Sequence, residues 1–392
     1  MVPEDDVAPS MSSSGTIAVP GVVGETGGMS DTTRHPDLLP TGPSVDATAP
    51  AAPTAGTAAV PSARWRLIDS IRGFALVGIL FANVPSMVFL GLHVPGEAQL
   101  KAHAASAVDS WVLPLLVESR FVPIFCFLFG LSLQLIIASA RRRGVGPWRP
   151  LLLRLGSLLV IGVLHGLLWG GDVLRVYAVA ALLLLPLAIL APRVVVLAGG
   201  VVLTAVGFGV LGGGPAGVPG LLLLGSAAAS YGLPAALDRG GRRVALAFAG
   251  LVVLAVGGSA LQVALGSAAS FGAVSTTVGL VTSAVYVTGL ALLWQTRLRG
   301  VIAGALEPLG RMALTNYLGA TVVVVAVAHL VPAIDWKAMP DSQAVVPLAV
   351  AVLTVQSLAS RLWLRHFSYG PVEWAWRSVT WRRRAPLRGG VL

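Results

Sequence analysis

Residues 164–177 read LHGLLWGGDVLRVY, and the reading of this stretch decides what kind of fold the chain builds. Leucine, valine, glycine and tryptophan dominate it, yet His165, Asp172 and Arg175 stand within eleven positions. Gly170 and Gly171 mark a tight turn between an apolar run ending near Trp169 and another beginning near Val173. The surrounding composition shows which solvent bathes this hairpin. Of 392 residues, 55% are hydrophobic and only 11% charged, with a mean hydropathy of +0.82, whereas soluble domains carry about 25% charged residues. Apolar runs long enough to cross a hydrocarbon layer about 30 Å thick recur almost to the C-terminus. The chain therefore reads as all-α, a polytopic transmembrane helical bundle.

Working outward from the hairpin, apolar runs predict about ten spans, near 71–92, 114–139, 151–169, 173–191, 194–212, 219–236, 243–263, 272–294, 310–331 and 342–362. About six belong to an N-terminal half over 63–240 and about four to a C-terminal half over 241–392. Residues 1–62 are Pro, Ala, Gly, Ser and Thr with scattered acids and no periodic apolar face, the composition of a disordered tail. That tail lacks the basic start and compact apolar stretch of a secretory signal. The single cysteine, Cys126, excludes a disulfide framework within the chain.

The net charge of +10 reports topology rather than nucleic-acid binding. Arginines recur at alternate loops: Arg64 to Arg72, Arg141 to Arg143 with Arg149 and Arg154, Arg193, Arg239 to Arg243, Arg297 to Arg311, and Arg361 to Arg384. Short loops rich in Lys and Arg stay on the cytoplasmic side of a membrane. Both termini are then expected to be cytoplasmic, in a multi-pass protein of a bacterial plasma membrane.

Five stretches are weighed as candidate sites. His165, Asp172 and Arg175 are expected at the extracytoplasmic mouth, with Asp172 and Arg175 three apart and able to share a helical face. Their simpler reading is an interfacial His beside a salt bridge that seats the hairpin; the chemical one follows from the cost of ionisable groups at membrane depth. The loop between the first two spans supplies His93, His103, Asp109, Glu118 and Arg120, read either as solvated loop residues or as a base with its orienting carboxylate. Glu118 and Arg120, two apart, need partners elsewhere. At the inner end Arg66, Asp69 and Arg72 follow at intervals of three, a positive-inside anchor or a strip suited to phosphate oxygens. In EPLGRMALTNYL, Arg311, Thr315 and Asn316 lie near the start of the ninth span. GPVEWAWRSVTWRRR, residues 370–384, has the composition of a helix lying in the headgroup layer, with Glu373 among its Trp and Arg residues. No phosphate-binding GxxxxGK[ST] loop, HExxH, CxxC pair or GxSxG elbow occurs. Six scattered histidines make no metal site.

RLIDSIRGFALVGILFANV, SRFVPIFCFLFG, LHGLLWGGDVLRVYAVA, GRMALTNYL and GPVEWAWRSVT, in this order, resemble the YeiB-like family of bacterial membrane proteins, whose C-terminal half is an uncharacterised domain. That family is similar to a wider group of transmembrane acyltransferases, including the heparan-α-glucosaminide N-acetyltransferases and bacterial surface-sugar O-acetyltransferases. The resemblance implies an acyl-CoA, acetyl-CoA in the first instance, entering from the cytoplasm, and a sugar, lipid or small-molecule acceptor bound opposite. It puts the family's RxxxDxxRG pattern on the stretch holding Arg66, Asp69, Arg72 and Gly73, and HGLL..GD on His165 and Asp172. The first-loop histidine of the heparan enzymes falls on His103 or His93, with Asp109 following.

The expected function is thus acyl transfer, with His165, Asp172, Arg175, His103 and Asp109 at the chemical step. Arg66, Asp69, Arg72, Arg311 and Asn316 are expected to hold the acyl-CoA donor. Its partners are the lipid bilayer, the donor, the acceptor and a second copy in a homodimer, with no nucleic acid and no metal. The alternative is a transporter or exporter of small amphipathic molecules, for which Asn83 and Gln262 are the midplane polar groups.

Overall fold

A computed structural model describes residues 65–88, 108–265, 272–331 and 341–388. The tail expected over 1–62, and His93 and His103 of the first loop, lie outside the described residues. Every regular element among the described residues is helical. In chain order these are α1 (Arg66–Val88), a π-helical segment (Val108–Val117), α2 (Val122–Arg142), α3 (Trp148–Leu168), α4 (Leu174–Leu190) and α5 (Arg193–Ala205). After a π turn and a short 3-10 turn follow α6 (Val218–Ser230), α7 (Leu233–Arg239), α8 (Arg242–Ala264), α9 (Ala273–Leu293), α10 (Arg299–Arg311), α11 (Ala313–Leu330), α12 (Asp341–His366) and α13 (Pro371–Trp381).

Among the described residues, eight helices are long and apolar enough to cross a membrane. Besides these, α6 and α7 form a pair bent by 71°, and α4 is apolar but only 17 residues long. The bend follows from Gly232, whose φ of +75° suits a residue without Cβ and ends α6 before Pro234 resumes the helix.

Two of the differences between the helix boundaries and the apolar pattern bear on the site. α1 begins at Arg66 rather than near residue 71, so Asp69 and Arg72 sit inside the helix. The run expected over 310–331 is interrupted at Met312, where φ −113° and ψ 32° leave the helical region, so α10 and α11 are separate helices.

Interior packing rests on glycines that let backbones touch. A Cβ on Gly130 of α2 would lie 2.0 Å from the Leu222 carbonyl oxygen of α6, and one on Gly225 of α6 would lie 2.0 Å from the Phe127 oxygen of α2. α1 and α10 meet in the same reciprocal way, with Gly73 facing Leu306 and Gly310 facing the Asp69 carbonyl. In lipid the hydrophobic effect does not draw helices together, so close contact and dispersion must do it. Leu67, Ile71, Ala75, Ile79 and Val84 make α1 the hub of the larger core, which α2, α3, α4, α9, α10, α11 and α12 complete. At the periphery, Val253, Leu254, Val256 and Leu261 of α8 stay exposed, the pattern of a lipid-facing helix.

Candidate functional site

The opening hairpin folds as α3, a turn, and α4. Trp169 leaves the helix in an extended conformation (φ −146°, ψ 115°) while its N–H still donates to His165 O at 3.0 Å. Its indole covers Gly171 so closely that a Cβ there would lie 2.4 Å from the ring. Asp172 then caps α4, because its Oδ2 accepts the Arg175 N–H at 3.1 Å and satisfies an otherwise orphan donor of the first turn. Gly162, one turn before His165, leaves room for this start of α4: its Cβ would lie 2.6 Å from Arg175 N.

The turn aims the Asp172 carboxylate at His165, with Nδ1 and Oδ1 2.8 Å apart. The His165 side chain is 5% exposed and that of Asp172 0%, so the pair is shielded from solvent where it stands, at the end of α3 and the turn into α4. Tyr317 of α11 donates its hydroxyl to the same Oδ1 at 3.4 Å and tilts its ring over the imidazole, centroids 5.2 Å apart. A carboxylate only accepts, so the shared hydrogen sits on Nδ1, and in the neutral imidazole Nε2 then presents a lone pair. Among the described residues that Nε2, which is buried, has no hydrogen-bond partner. Arg175 takes a different part from the expected side-chain pair with Asp172. Its backbone meets that carboxylate, while its exposed guanidinium donates to Gly170 O at 2.9 Å and braces the turn.

A cavity of about 430 Å³ is lined by residues of the helices around the pair, though by neither His165 nor Asp172. Six guanidinium groups line it, those of Arg72, Arg142, Arg143, Arg154, Arg311 and Arg377, with Glu373. Its apolar part is formed by Phe125, Phe129, Leu158, Leu174, Tyr177 and Leu314. Leu174 and Tyr177 follow Asp172 on α4, and Leu314 lies three residues, about 4.5 Å of helix rise, before Tyr317. The apolar part of the cavity and the His–Asp pair are therefore neighbours on the same two helices. Along α3 the step from Arg154 to His165 is eleven residues, about 16 Å. Tyr177 stacks against Phe125 and Phe129, and its buried hydroxyl has no hydrogen-bond partner among the described residues.

The C-terminal helix α13 closes the arginine end of this cavity. Glu373 accepts hydrogen bonds from Leu314 N at 2.7 Å, Thr315 N at 2.9 Å and Thr315 Oγ1 at 2.5 Å. The break at Met312 frees those N–H groups, and a carboxylate at a helix N-terminus also meets the positive end of its dipole. Trp376 donates its indole N–H to Arg154 O at 2.8 Å, and the Arg154 guanidinium lies 3.5 Å over its ring. Trp381 lies under Arg143 at 4.5 Å. Two of the three tryptophans read from sequence as headgroup residues thus turn towards cations on the cavity wall. Glu373→Ala should remove the cap, at a cost of about 0.5–2 kcal/mol for such a group, read as a lower thermal midpoint in detergent and earlier proteolysis of α13.

Of the expected donor-binding residues, Arg72 and Arg311 line the cavity. Arg72 is held by Asp69 at 2.9 Å and by Ser132 at 3.2 Å. Arg66 points elsewhere, its Nε 2.9 Å from Glu307 Oε2. Asn316 is a buried interhelical clamp, its amide bonded to Leu309 O and Ser360 Oγ. Arg142, Arg143, Arg154, Arg377 and the two tyrosines were not singled out from sequence. The arginines read as topology signals, and Tyr177 sits among ordinary apolar residues of α4.

Of Asp109 only the backbone, in the π-helical segment, is described. Arg120, expected to need partners elsewhere, is fully buried. It donates to Leu115 O at 3.0 Å, Glu118 O at 2.5 Å and Gln262 Oε1 at 3.2 Å. Gln262 is therefore engaged in tying α8 to the start of α2, and its amide also reaches Ser275 at 3.2 Å.

Comparison with known proteins agrees with the quoted motifs. Residues 232–383 match the family described as a protein of unknown function, DUF418. An "Uncharacterized 39.9 kDa protein in amylase 3'region" of Bacillus acidopullulyticus is 31% identical over 340 residues, covering 82% of this chain and 94% of that protein. YeiB of Escherichia coli is 31% identical over 395 residues, 81% of this chain and 97% of its own. YxaH of Bacillus subtilis is 26% identical over 400 residues, 83% and 96% respectively. No solved structure matches the chain. Since these alignments run nearly end to end in the relatives, and the DUF418 region coincides with α7 to α13, the chain belongs to the YeiB-like family of bacterial membrane proteins.

Proposed function

We propose that the chain is an integral membrane acyltransferase, moving an acyl group, acetyl in the first instance, from acyl-CoA to a hydroxyl or amine of a sugar, lipid or small metabolite. One observation carries the reading: a cavity crowded with arginines is lined by Leu174, Tyr177 and Leu314, chain neighbours of a buried His–Asp pair and its Tyr317, and the Nε2 of that pair has no hydrogen-bond partner among the described residues. Guanidinium groups suit the phosphates of the donor, since they fork onto phosphate oxygens and keep their charge. The aromatic and leucine part of the cavity suits a pantetheine arm reaching from the arginines towards His165.

In this mechanism His165 Nε2 takes the proton of the acceptor hydroxyl or amine as that oxygen or nitrogen attacks the thioester carbonyl carbon. The C–S bond then breaks, and the departing sulfur takes the proton back from His165, leaving an ester or amide and free CoA. Asp172 holds the imidazole in the required tautomer and offsets its transient charge. Tyr317 and the Arg175 N–H hold Asp172. The hydroxyl of Tyr177, a cavity-lining residue, has no hydrogen-bond partner among the described residues and is suited to the oxyanion of the tetrahedral adduct. Tyr177→Phe is expected to lower kcat about 10²- to 10³-fold, the effect of losing one oxyanion donor, with KM for acyl-CoA little changed.

The topology that suits this reading has ten spans: the eight long helices, the bent α6–α7 pair and α4. The arginine end and both termini then face the cytoplasm of a bacterium, where acyl-CoA is made, as the positive-inside rule favours. The test is transfer from labelled acetyl-CoA to bacterial extracts in proteoliposomes. Neither donor binding nor transfer to any fraction would discard the proposal, and substrate flux without an acyl donor would replace it with transport.

A further inference from the structure

A second cavity, of about 390 Å³ and open to the surroundings, lies between α10 and α12. Its cations are Arg311, Arg361 and Arg365, and its one acid, Glu307, is engaged by Arg66 at 2.9 Å. Among the described residues neither Arg361 nor Arg365 has a carboxylate partner. The two are four apart on α12 and so share a face. Going deeper into the span, Leu358 lies three residues before Arg361 and Leu362 three before Arg365, so the same face continues as leucine. Leu358 is 55% exposed and Leu362 56%. On α10, Gly304 lines the cavity and meets nothing where a Cβ would be, which leaves the space open.

Cations at the end of a span, above an exposed apolar strip, complement one kind of molecule, with an anionic phosphate head and acyl chains running down the helix. We infer that the α10–α12 cavity binds a phospholipid of net negative headgroup, its phosphate on Arg361 and Arg365 and its chains along Leu362 and Leu358. Basic pockets between membrane helices take such headgroups, and each Lys or Arg near the surface adds appreciably to the attraction. This site stands apart from the proposed catalytic pair, although Arg311 borders both cavities.

The test is native mass spectrometry of the full chain in mild detergent, titrated with phosphatidylglycerol, phosphatidylcholine or inorganic phosphate. The wild-type protein should retain phosphatidylglycerol in preference to phosphatidylcholine, and inorganic phosphate should not displace it. R361Q/R365Q should bind phosphatidylglycerol roughly thirtyfold more weakly, the loss of two surface cations. Equal retention of the two lipids by the wild-type protein would overturn the inference without any variant. So would displacement by inorganic phosphate, which would mark a free-anion site, or undiminished binding by the folded double variant.

Discussion

His165→Ala is expected to lower acyl transfer by about 10²- to 10⁴-fold, the range that a positioned proton acceptor contributes. Donor binding should survive, because the arginines that line the cavity are on α1, the end of α2, the start of α3, α10 and α13, and none contacts the imidazole. The substitution leaves a buried carboxylate, but Asp172 keeps Tyr317 and the Arg175 N–H as donors. Asp172→Asn separates chemistry from packing more cleanly. An asparagine oxygen still accepts from Arg175 N and preserves the cap, whereas its NH₂ facing Nδ1 favours the imidazole tautomer with hydrogen on Nε2. In a Ser-His-Asp protease the corresponding change costs about 10⁴ in kcat, and a loss of that order with unchanged acyl-CoA affinity is expected here. If both variants transfer acyl groups at the wild-type rate, His165 is a packing residue and the mechanism fails.

Gly310→Ala should be among the most damaging single-methyl changes in the chain. Its Cβ would lie 1.8 Å from the Asp69 carbonyl oxygen and 2.7 Å from Gly73 N, both backbone atoms that no rotamer change can remove. Relief requires α1 and α10 to separate, which also breaks the reciprocal contact of Gly73 with Leu306. The cost should reach or exceed the top of the roughly 1–3 kcal/mol range for overpacked interiors. Because Arg72 follows Asp69 by three residues and Arg311 follows Gly310, the same shift moves two arginines of the cavity. Thermal unfolding in detergent, with acyl-CoA binding measured on whatever folds, checks both effects. Gly300→Ala is the control: the same helix and the same chemical change, but nothing within 4 Å of the new Cβ, so its stability should be unchanged or raised. Equal stability of the two variants would show that the glycine contact is not what holds α10 to α1.

The contrast between those two glycines shows where sequence reading stops. Both lie in apolar or amphipathic runs, and only a neighbouring backbone distinguishes them. Asn316 makes the same point within the site. A polar residue beside Arg311 reads as a ligand group, yet α12 approaches on that side and Ser360 takes its amide. Glu373 is the converse case: it sits 59 and 58 residues from Leu314 and Thr315, and nothing in a Trp- and Arg-rich tail says that its carboxylate caps the start of a distant helix.

The sequence alone determined the solvent, the helical class, most of the spans and the motif that holds His165 and Asp172. These follow from short-range quantities: hydropathy averaged over about twenty residues must match the bilayer, and a Gly-Gly turn followed by an Asp at a helix start is a local hydrogen-bonding arrangement. Tertiary structure decided which arginines share a cavity, which tyrosine meets Asp172 and which helix closes the arginine end of that cavity. Those are meetings between residues distant in the chain, fixed by how closely glycine lets backbones approach, and local composition carries no record of them.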